Sequence, residues 1–291
     1  MSEEPTSTEE QSSKSFLDAR ISAEKLRDLY INDTRQNSFR ALILGESGTG
    51  KSEILRTARL PLHIDSFDPG GTIHLRDLVR DGWASIDTQY EMEDREAPSM
   101  YREWVRNFET RRRARYFEHI GTYCLDSTTM WNDAIMNHVL STAKDKSGKI
   151  VSRAGTAPLF THDYVPHKVQ IQNSMKKILS LPCDVVVTGH IEPDIKKQLV
   201  GGEIIEVMDG YRYLTTGQGV IIIPLMFDEV WITTREESSG GIKYQLITNK
   251  YKMYEGKTRI GSKKFSTLEE PHIKKLLKKA GWPTDDKPKL F

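Results

Sequence analysis

Eight consecutive residues constrain this chain more than anything else in it: Gly45, Glu46, Ser47, Gly48, Thr49, Gly50, Lys51 and Ser52 fit the spacing GxxxxGK[ST]. At ordinary residue usage, a chain of this length meets that pattern by chance roughly 1% of the time. The apolar run 41–44 comes just before the motif and a helix-compatible stretch, 51–59, follows it, so a strand, a glycine loop and a helix are expected in succession. Glycine lets the backbone wrap closely where a Cβ would intrude. Successive N–H groups, backed by the head of a helix, then converge on an anion. In such a loop Lys51 reaches the β- and γ-phosphates of a nucleoside triphosphate, and the Ser52 hydroxyl ligates Mg²⁺. ATP and Mg²⁺ are the expected ligands.

From residue 40 onward, strand-like runs alternate with helical stretches. Strands are expected at 40–44, 62–65, 123–126 and 185–189, and helices at 92–119, 130–144 and 167–180. Met100, Trp104 and Phe108 give the first of these helices an apolar face. Such alternation implies an α/β fold with a mainly parallel sheet covered by helices. Short runs at 204–207, 211–214, 220–223, 229–234 and 243–248, divided by Asp-Gly, Gly-Gln-Gly and Ser-Gly-Gly, read as antiparallel strands extending that sheet. The expected organisation is a disordered arm over 1–15 and an N-terminal helix within 16–37. A core follows over 38–262, then a basic C-terminal helix and tail over 263–291, with the helix at 271–280 stopped by Gly281. In the N-terminal helix Ser22 is the expected cap, with Ile21 stapled onto Leu26.

A metal and an attacking water need carboxylates at the carboxyl ends of neighbouring strands. The run Tyr123-Cys124-Leu125-Asp126 ends in one, placing Asp126 as a water-mediated Mg²⁺ ligand. After the second strand, HIDSFDPGG offers Asp65 and Asp68, either of which could orient or deprotonate water; a turn at 68–71 accounts for Asp68 equally well. His190 closes VVVTGH, where a side chain could sense the γ-phosphate.

Together, GESGTGKS, HIDSFDPGG, YCLDS and VVVTGH resemble the RecA-like P-loop ATPases over roughly residues 38–262. PLMFDEV at 224–230 points to a phage-type group associated with single-strand annealing and recombination. The resemblance implies a RecA-like fold that assembles side by side as a ring or filament, with ATP at subunit junctions. It also implies DNA as partner, single-stranded, alongside an annealing or single-strand-binding protein. The Lys257-Thr258-Arg259 stretch matches the family's Lys-x-Arg, whose cations reach the γ-phosphate of a neighbouring subunit and stabilise transition-state charge. Two departures stand out: many relatives have glutamate after the second strand and glutamine at the position of His190.

Net charge is +1, yet residues 241–291 hold 13 Lys and Arg against 5 Asp and Glu, a local excess of +8. That tail suits nucleic-acid phosphates or a solvated helix face. The loops expected to line a channel are 144–167, with Lys144, Lys146, Lys149 and Arg153, and 192–210. Cys124 and Cys183 are expected as reduced core residues, without metal-ligand spacing. The acidic, polar N-terminus and the absence of a long apolar run lead us to expect a cytoplasmic protein, in the host cytoplasm if phage-encoded, with no membrane partner. Two rival expectations are an ATP-dependent assembly or packaging protein and a P-loop kinase acting on an acceptor substrate.

Overall fold

The computed structural model describes residues 7–33, 36, 38–145, 147–158, 161–200, 203–215, 219–238, 240–261 and 263–291. The chain divides into two units, Met1–Ser38 and Phe39–Phe291. The first holds helix α1, Ser7–Ile31. The expectation of a disordered arm is therefore corrected over residues 7–15, and residues 1–6 lie outside the described residues. No Gly or Pro falls between 7 and 31, and Glu, Gln, Lys, Arg, Ala and Leu are frequent there, so local propensity carries the helix back past Ser22. Ser22 accordingly sits mid-helix rather than at a cap.

The second unit runs β1 (Arg40–Gly45), β2 (Leu62–Ser66), α2 (Arg76–Arg80), β3 (Ala84–Asp87), α3 (Met100–Arg113), β4 (Thr122–Asp126), α4 (Thr128–Ser141), α5 (Thr161–Leu179), β5 (Asp184–Val200) and β6 (Glu203–Tyr213). It continues with α6 (Gly219–Leu225), β7 (Glu229–Ser238), β8 (Gly241–Ile247), β9 (Lys250–Tyr251), β10 (Tyr254–Glu255), β11 (Leu268–Glu269) and α7 (Ile273–Ala280). Among the described residues one sheet has the order β11-β8-β7-β1-β5-β4-β2-β3, with β6 pairing on β5 beyond this path. The stretch β7-β1-β5-β4-β2-β3 is parallel throughout. β8 and β11 add antiparallel strands at the C-terminal edge. This is a mixed α/β fold, a mainly parallel sheet flanked by helices and extended by C-terminal antiparallel strands.

Both faces of the central strands are covered, which is why they read as unbroken apolar runs. Their pleat divides the side chains between two cores. Leu42, Leu44, Tyr123, Leu125, Val185 and Val187 enter one; Ala41, Ile43, Cys124 and Val186 enter the other. Both cysteines are buried thiols, as expected. Helix α3 buries Tyr101, Trp104 and Phe108, with Met100 packed at the margin. Helix α7 buries Ile273, Leu276 and Leu277 in the second core, with Ala280 also buried, and Gly281 ends it with a left-handed φ of 84°. The basic C-terminal segment is thus part of the core unit rather than an appendage to it.

Several elements differ from expectation. After the glycine loop stands a short 3₁₀ helix, Glu53–Thr57, instead of a helix over 51–59; Pro61 lies close behind and disfavours helical backbone before it. Residues 220–223, expected as a strand, belong to helix α6, because a short apolar run has no periodicity that separates the two. The runs 204–207 and 211–214 merge into β6, and Asp209-Gly210 makes no turn. The irregularity there is a register shift opposite it, between Asp194 and Ile195. Residues 192–200 and 203–210 therefore lie on two paired antiparallel strands instead of in a channel loop. β7 pairs parallel with β1, so β8 and β11 extend that edge of the sheet in antiparallel fashion, and β6 pairs antiparallel with β5.

Asp65 is the largest correction. Its side chain is fully buried under α3, where Oδ2 accepts from Tyr123 Oη at 2.7 Å and Trp104 Nε1 at 2.8 Å, and Oδ1 accepts from Arg111 at 3.1 Å. His63 Nε2 lies 3.2 Å from the same Oδ1. Burial alone would lower the Arg111 pKa, yet Asp65 and Asp87 hold it raised. A carboxylate with this many partners ties β2, β4 and α3 together and is closed to water, so it is no general base. Asp65→Ala leaves Arg111 and two aromatic donors without their shared acceptor. It is expected to destabilise the fold by about 3–5 kcal/mol, read from the shift in urea midpoint.

Candidate functional site

The parallel strands end together, and their ends carry the site. In register, Gly45 closes β1 level with His190 of β5 and Thr233 of β7. A Cβ on Gly45 would fall 2.3 Å from Thr233 Oγ1, so the loop leaves the strand pressed against β7. Gly48 and Gly50 take left-handed φ values of 74° and 86°, which side chains rarely adopt, and this curls the backbone into a cradle. The Glu46 carbonyl accepts from Thr49 Oγ1 and from Lys51 Nζ, both at 2.8 Å, and Thr49 and Thr233 share a hydroxyl hydrogen bond of 2.8 Å. Residues Ser47 to Ser52 line a cavity of about 660 Å³, together with Asp68 and His190.

The carboxylate at the end of β4 meets this loop across an intervening strand. Asp126 Oδ2 accepts from Ser52 Oγ at 2.9 Å, and its Oδ1 accepts from Thr188 of β5. Burial raises the Asp126 pKa, against the hydrogen bonds from Thr188 and Ser52. Burial likewise lowers that of Lys51, against the carboxylates of Asp126, Asp68 and Glu46. A hydroxyl and a carboxylate oxygen already in contact suit a hard cation. Among the described residues no three His, Cys, Asp or Glu side chains gather as a metal cluster. Mg²⁺ is usually bound by one or two carboxylates plus phosphates and water. Ser52 and Asp126 are the residues that would hold it.

Asp68 stands beside this pair. Its backbone N–H donates to the Asp126 carbonyl at 3.2 Å, and its Oδ2 lies 3.9 Å from His190 Nε2. Burial raises the Asp68 pKa, opposed by Ser127 and Lys51. His190 is pushed down, first by burial and then by Lys51; its backbone N–H donates to Thr129 Oγ1 at 3.1 Å. Of the two candidate aspartates, only Asp68 faces the cavity. Lys257 and Arg259 lie elsewhere: Lys257 bridges Val230 near the start of β7, and its ammonium donates to the Pro224 carbonyl at 2.9 Å. Arg259 pairs with Asp228 at 2.7 Å with its side chain largely exposed.

Sequence reasoning missed Glu91, whose carboxylate accepts from Ser66 Oγ at 2.7 Å and Gly70 N at 3.2 Å and so fixes the turn that presents Asp68. It sits in irregular chain, where no periodicity flags a role. Thr188 was readable in principle, as the hydroxyl residue two before His190.

The AAA domain family AAA_24 matches residues 37–260. The chain belongs to that family. This AAA domain also resembles solved structures: the KaiC-like protein PH0186 of the archaeon Pyrococcus horikoshii OT3 is 12% identical, with 76% of this chain and 82% of that one covered and a TM-score of 0.37. The flagellar accessory protein FlaH of Methanocaldococcus jannaschii is 13% identical, with 79% and 83% covered and a TM-score of 0.38. No curated protein matches the sequence. Among the described residues of the AAA domain and its N-terminal helix, no helix is long and apolar enough to cross a membrane.

Lys51→Ala is expected to abolish ATP binding by calorimetry. Ser52→Ala and Asp126→Asn should each weaken it roughly 10- to 100-fold in Mg²⁺ and leave the weaker binding in EDTA unchanged. An equal loss in EDTA would contradict a metal role.

Proposed function

We propose that this AAA domain binds and hydrolyses ATP with Mg²⁺, assembles with copies of itself as a ring or filament, and acts on single-stranded DNA in phage-type recombination, annealing or replication. The observation that carries the ATPase reading is the meeting of Lys51, Ser52, Asp126, Asp68 and His190 at one end of the sheet. Bound Mg²⁺ would neutralise charge developing on the phosphates. Lys51 binds the β- and γ-phosphates from within the cradle, and Asp68 orients the attacking water and accepts its proton. His190, between Asp68 and the end of β5, is placed to register whether a γ-phosphate is present.

Self-assembly is supported by where Lys257 and Arg259 lie. Val230, which bridges Lys257, is three residues before Thr233, level with the start of the loop, so these cations sit about 10 Å or more down the strand from their own cradle. They serve a neighbour's nucleotide or none. In a ring or filament, Arg259 exchanges Asp228 for the γ-phosphate next door.

The DNA reading is supported by the family resemblance and by the turn after α4, where Lys144 and Ile150 bridge and Asp145 accepts from the backbone N–H of Ser147 and Lys149. That turn presents Lys149 on a built scaffold. The basic C-terminal segment contributes less than its charge suggests, because Lys274, Lys275 and Lys279 pair with Asp286, Glu270 and Glu269. One observation favours an ATP-dependent assembly or packaging role instead: residues 192–210 hold five acidic against two basic residues, and Ile195, Leu199 and Ile204 are exposed on the hairpin. Such an arm suits protein more than phosphate.

ATP turnover and assembly mass, measured with and without single-stranded DNA across salt concentration, test these readings. Stimulation by DNA, with affinity falling steeply in salt, supports the DNA role; ATP-linked assembly indifferent to DNA supports the alternative. Arg259→Ala should spare ATP binding and slow turnover by several orders of magnitude. Because burial raises the Asp68 pKa, turnover should fall as pH drops through that raised value and the base gains its proton. Asp68→Asn should remove that limb together with most of the rate.

A further inference from the structure

The cavity extends beyond the phosphate cradle, and one of its walls is an aromatic ring. Tyr244, on β8, lines the same cavity as Lys51 and Ser52. A Cβ built on Gly50 would lie 3.6 Å from Tyr244 Cδ1 and 3.9 Å from Cε1, so the ring stands in contact distance of the loop itself. Its placement follows from the β7–β8 hairpin. Thr233 is anchored to the loop through Thr49 and through the Leu44 carbonyl at 3.2 Å. Two residues on, and so on the same face of the strand, Arg235 brings its guanidinium to 3.3 Å from the Cβ position of Gly48. Arg235 pairs across the ladder with Tyr244, which sets the tyrosine over the next glycine.

The opposite flank is equally fixed. Leu246 of β8 pairs with Glu269 of β11; beyond that pair the strands part, one carrying Tyr244 and the other leading to Pro271 and His272, which also line the cavity. Ile273 N–H donates to Thr57 Oγ1 at 2.8 Å, so the start of α7 is held against the 3₁₀ helix that follows Ser52. In the sheet, β8 and β11 lie across β1 from β5, which carries His190, and from β2, which leads to Asp68. Tyr244 keeps 44% of its surface exposed, although it is a large aromatic side chain set among polar loop residues.

We propose that Tyr244 is the platform on which the base of the bound nucleoside triphosphate stacks. Stacking uses the π-face that every base presents, so this residue adds affinity without choosing among bases. The inference rests on the nucleotide-binding reading of the cradle, and its test separates the two.

The full chain is titrated calorimetrically, in Mg²⁺, with ATP, with GTP and with inorganic tripolyphosphate, which has the phosphates and no base. Tyr244→Ala is expected to weaken ATP and GTP by a similar factor, roughly 10- to 100-fold, and to leave tripolyphosphate within about twofold. The retained tripolyphosphate binding also shows that the variant is folded. Tyr244→Phe, which keeps the ring, should bind ATP as the wild type does. Three results overturn the platform while leaving the phosphate site standing: unchanged ATP affinity in Tyr244→Ala, tripolyphosphate weakened as much as ATP, or Tyr244→Phe as weak as Tyr244→Ala. Wild-type protein that binds neither ATP nor tripolyphosphate overturns the proposed function, and this inference with it.

Discussion

One hydrogen bond, from Ser52 to Asp126, depends on the whole sheet being in order. The loop strand β1 and the carboxylate strand β4 are not neighbours; β5 runs between them and contributes Thr188, which occupies the other oxygen of the same carboxylate. The contact exists only if three parallel strands keep register to within one residue, because a slip of one turns every side chain to the other face. The two apolar cores enforce that register from both sides. Packing thereby becomes chemistry: two carboxyls raised by burial and a depressed lysine are held together at the cavity by strands that could not be rearranged without exposing valine and leucine.

Much of this was legible because it is local or periodic. The glycine loop announces itself by residue type, since left-handed backbone at Gly48 and Gly50 tolerates little else. The central strands show as apolar runs because both faces are covered, and α7 shows because Gly281 stops an amphipathic repeat. The long hairpin of β5 and β6 was not legible. Only the base of its half-polar strands, Ile191 and Tyr213, enters the core, and Asp209-Gly210 carries a turn signal that a bulge opposite it absorbs. Helix α6 was hidden for the opposite reason: the four apolar residues 220–223 in a row have no period at all.

The site was legible to a different depth. Asp126 and Ser52 could be named from position along the strands, as could His190. The choice between Asp65 and Asp68 could not, because it turns on what covers β2, and the aromatic lid from α3 is remote in sequence. Tyr123, Trp104 and Arg111 meet around Asp65 only in the folded chain. Glu91 and Tyr244 likewise act through contacts that no spacing encodes.

Two aspartates three residues apart thus belong to separate systems, one bonded inward to the aromatic core and one turned outward to the phosphate cradle. The boundary between scaffold and machinery runs through a single short turn. Changes on the outward side of it can reset how long a nucleotide survives in the cradle while the architecture beneath stays whole, so the lifetime of the bound state can be tuned independently of the stability of the fold.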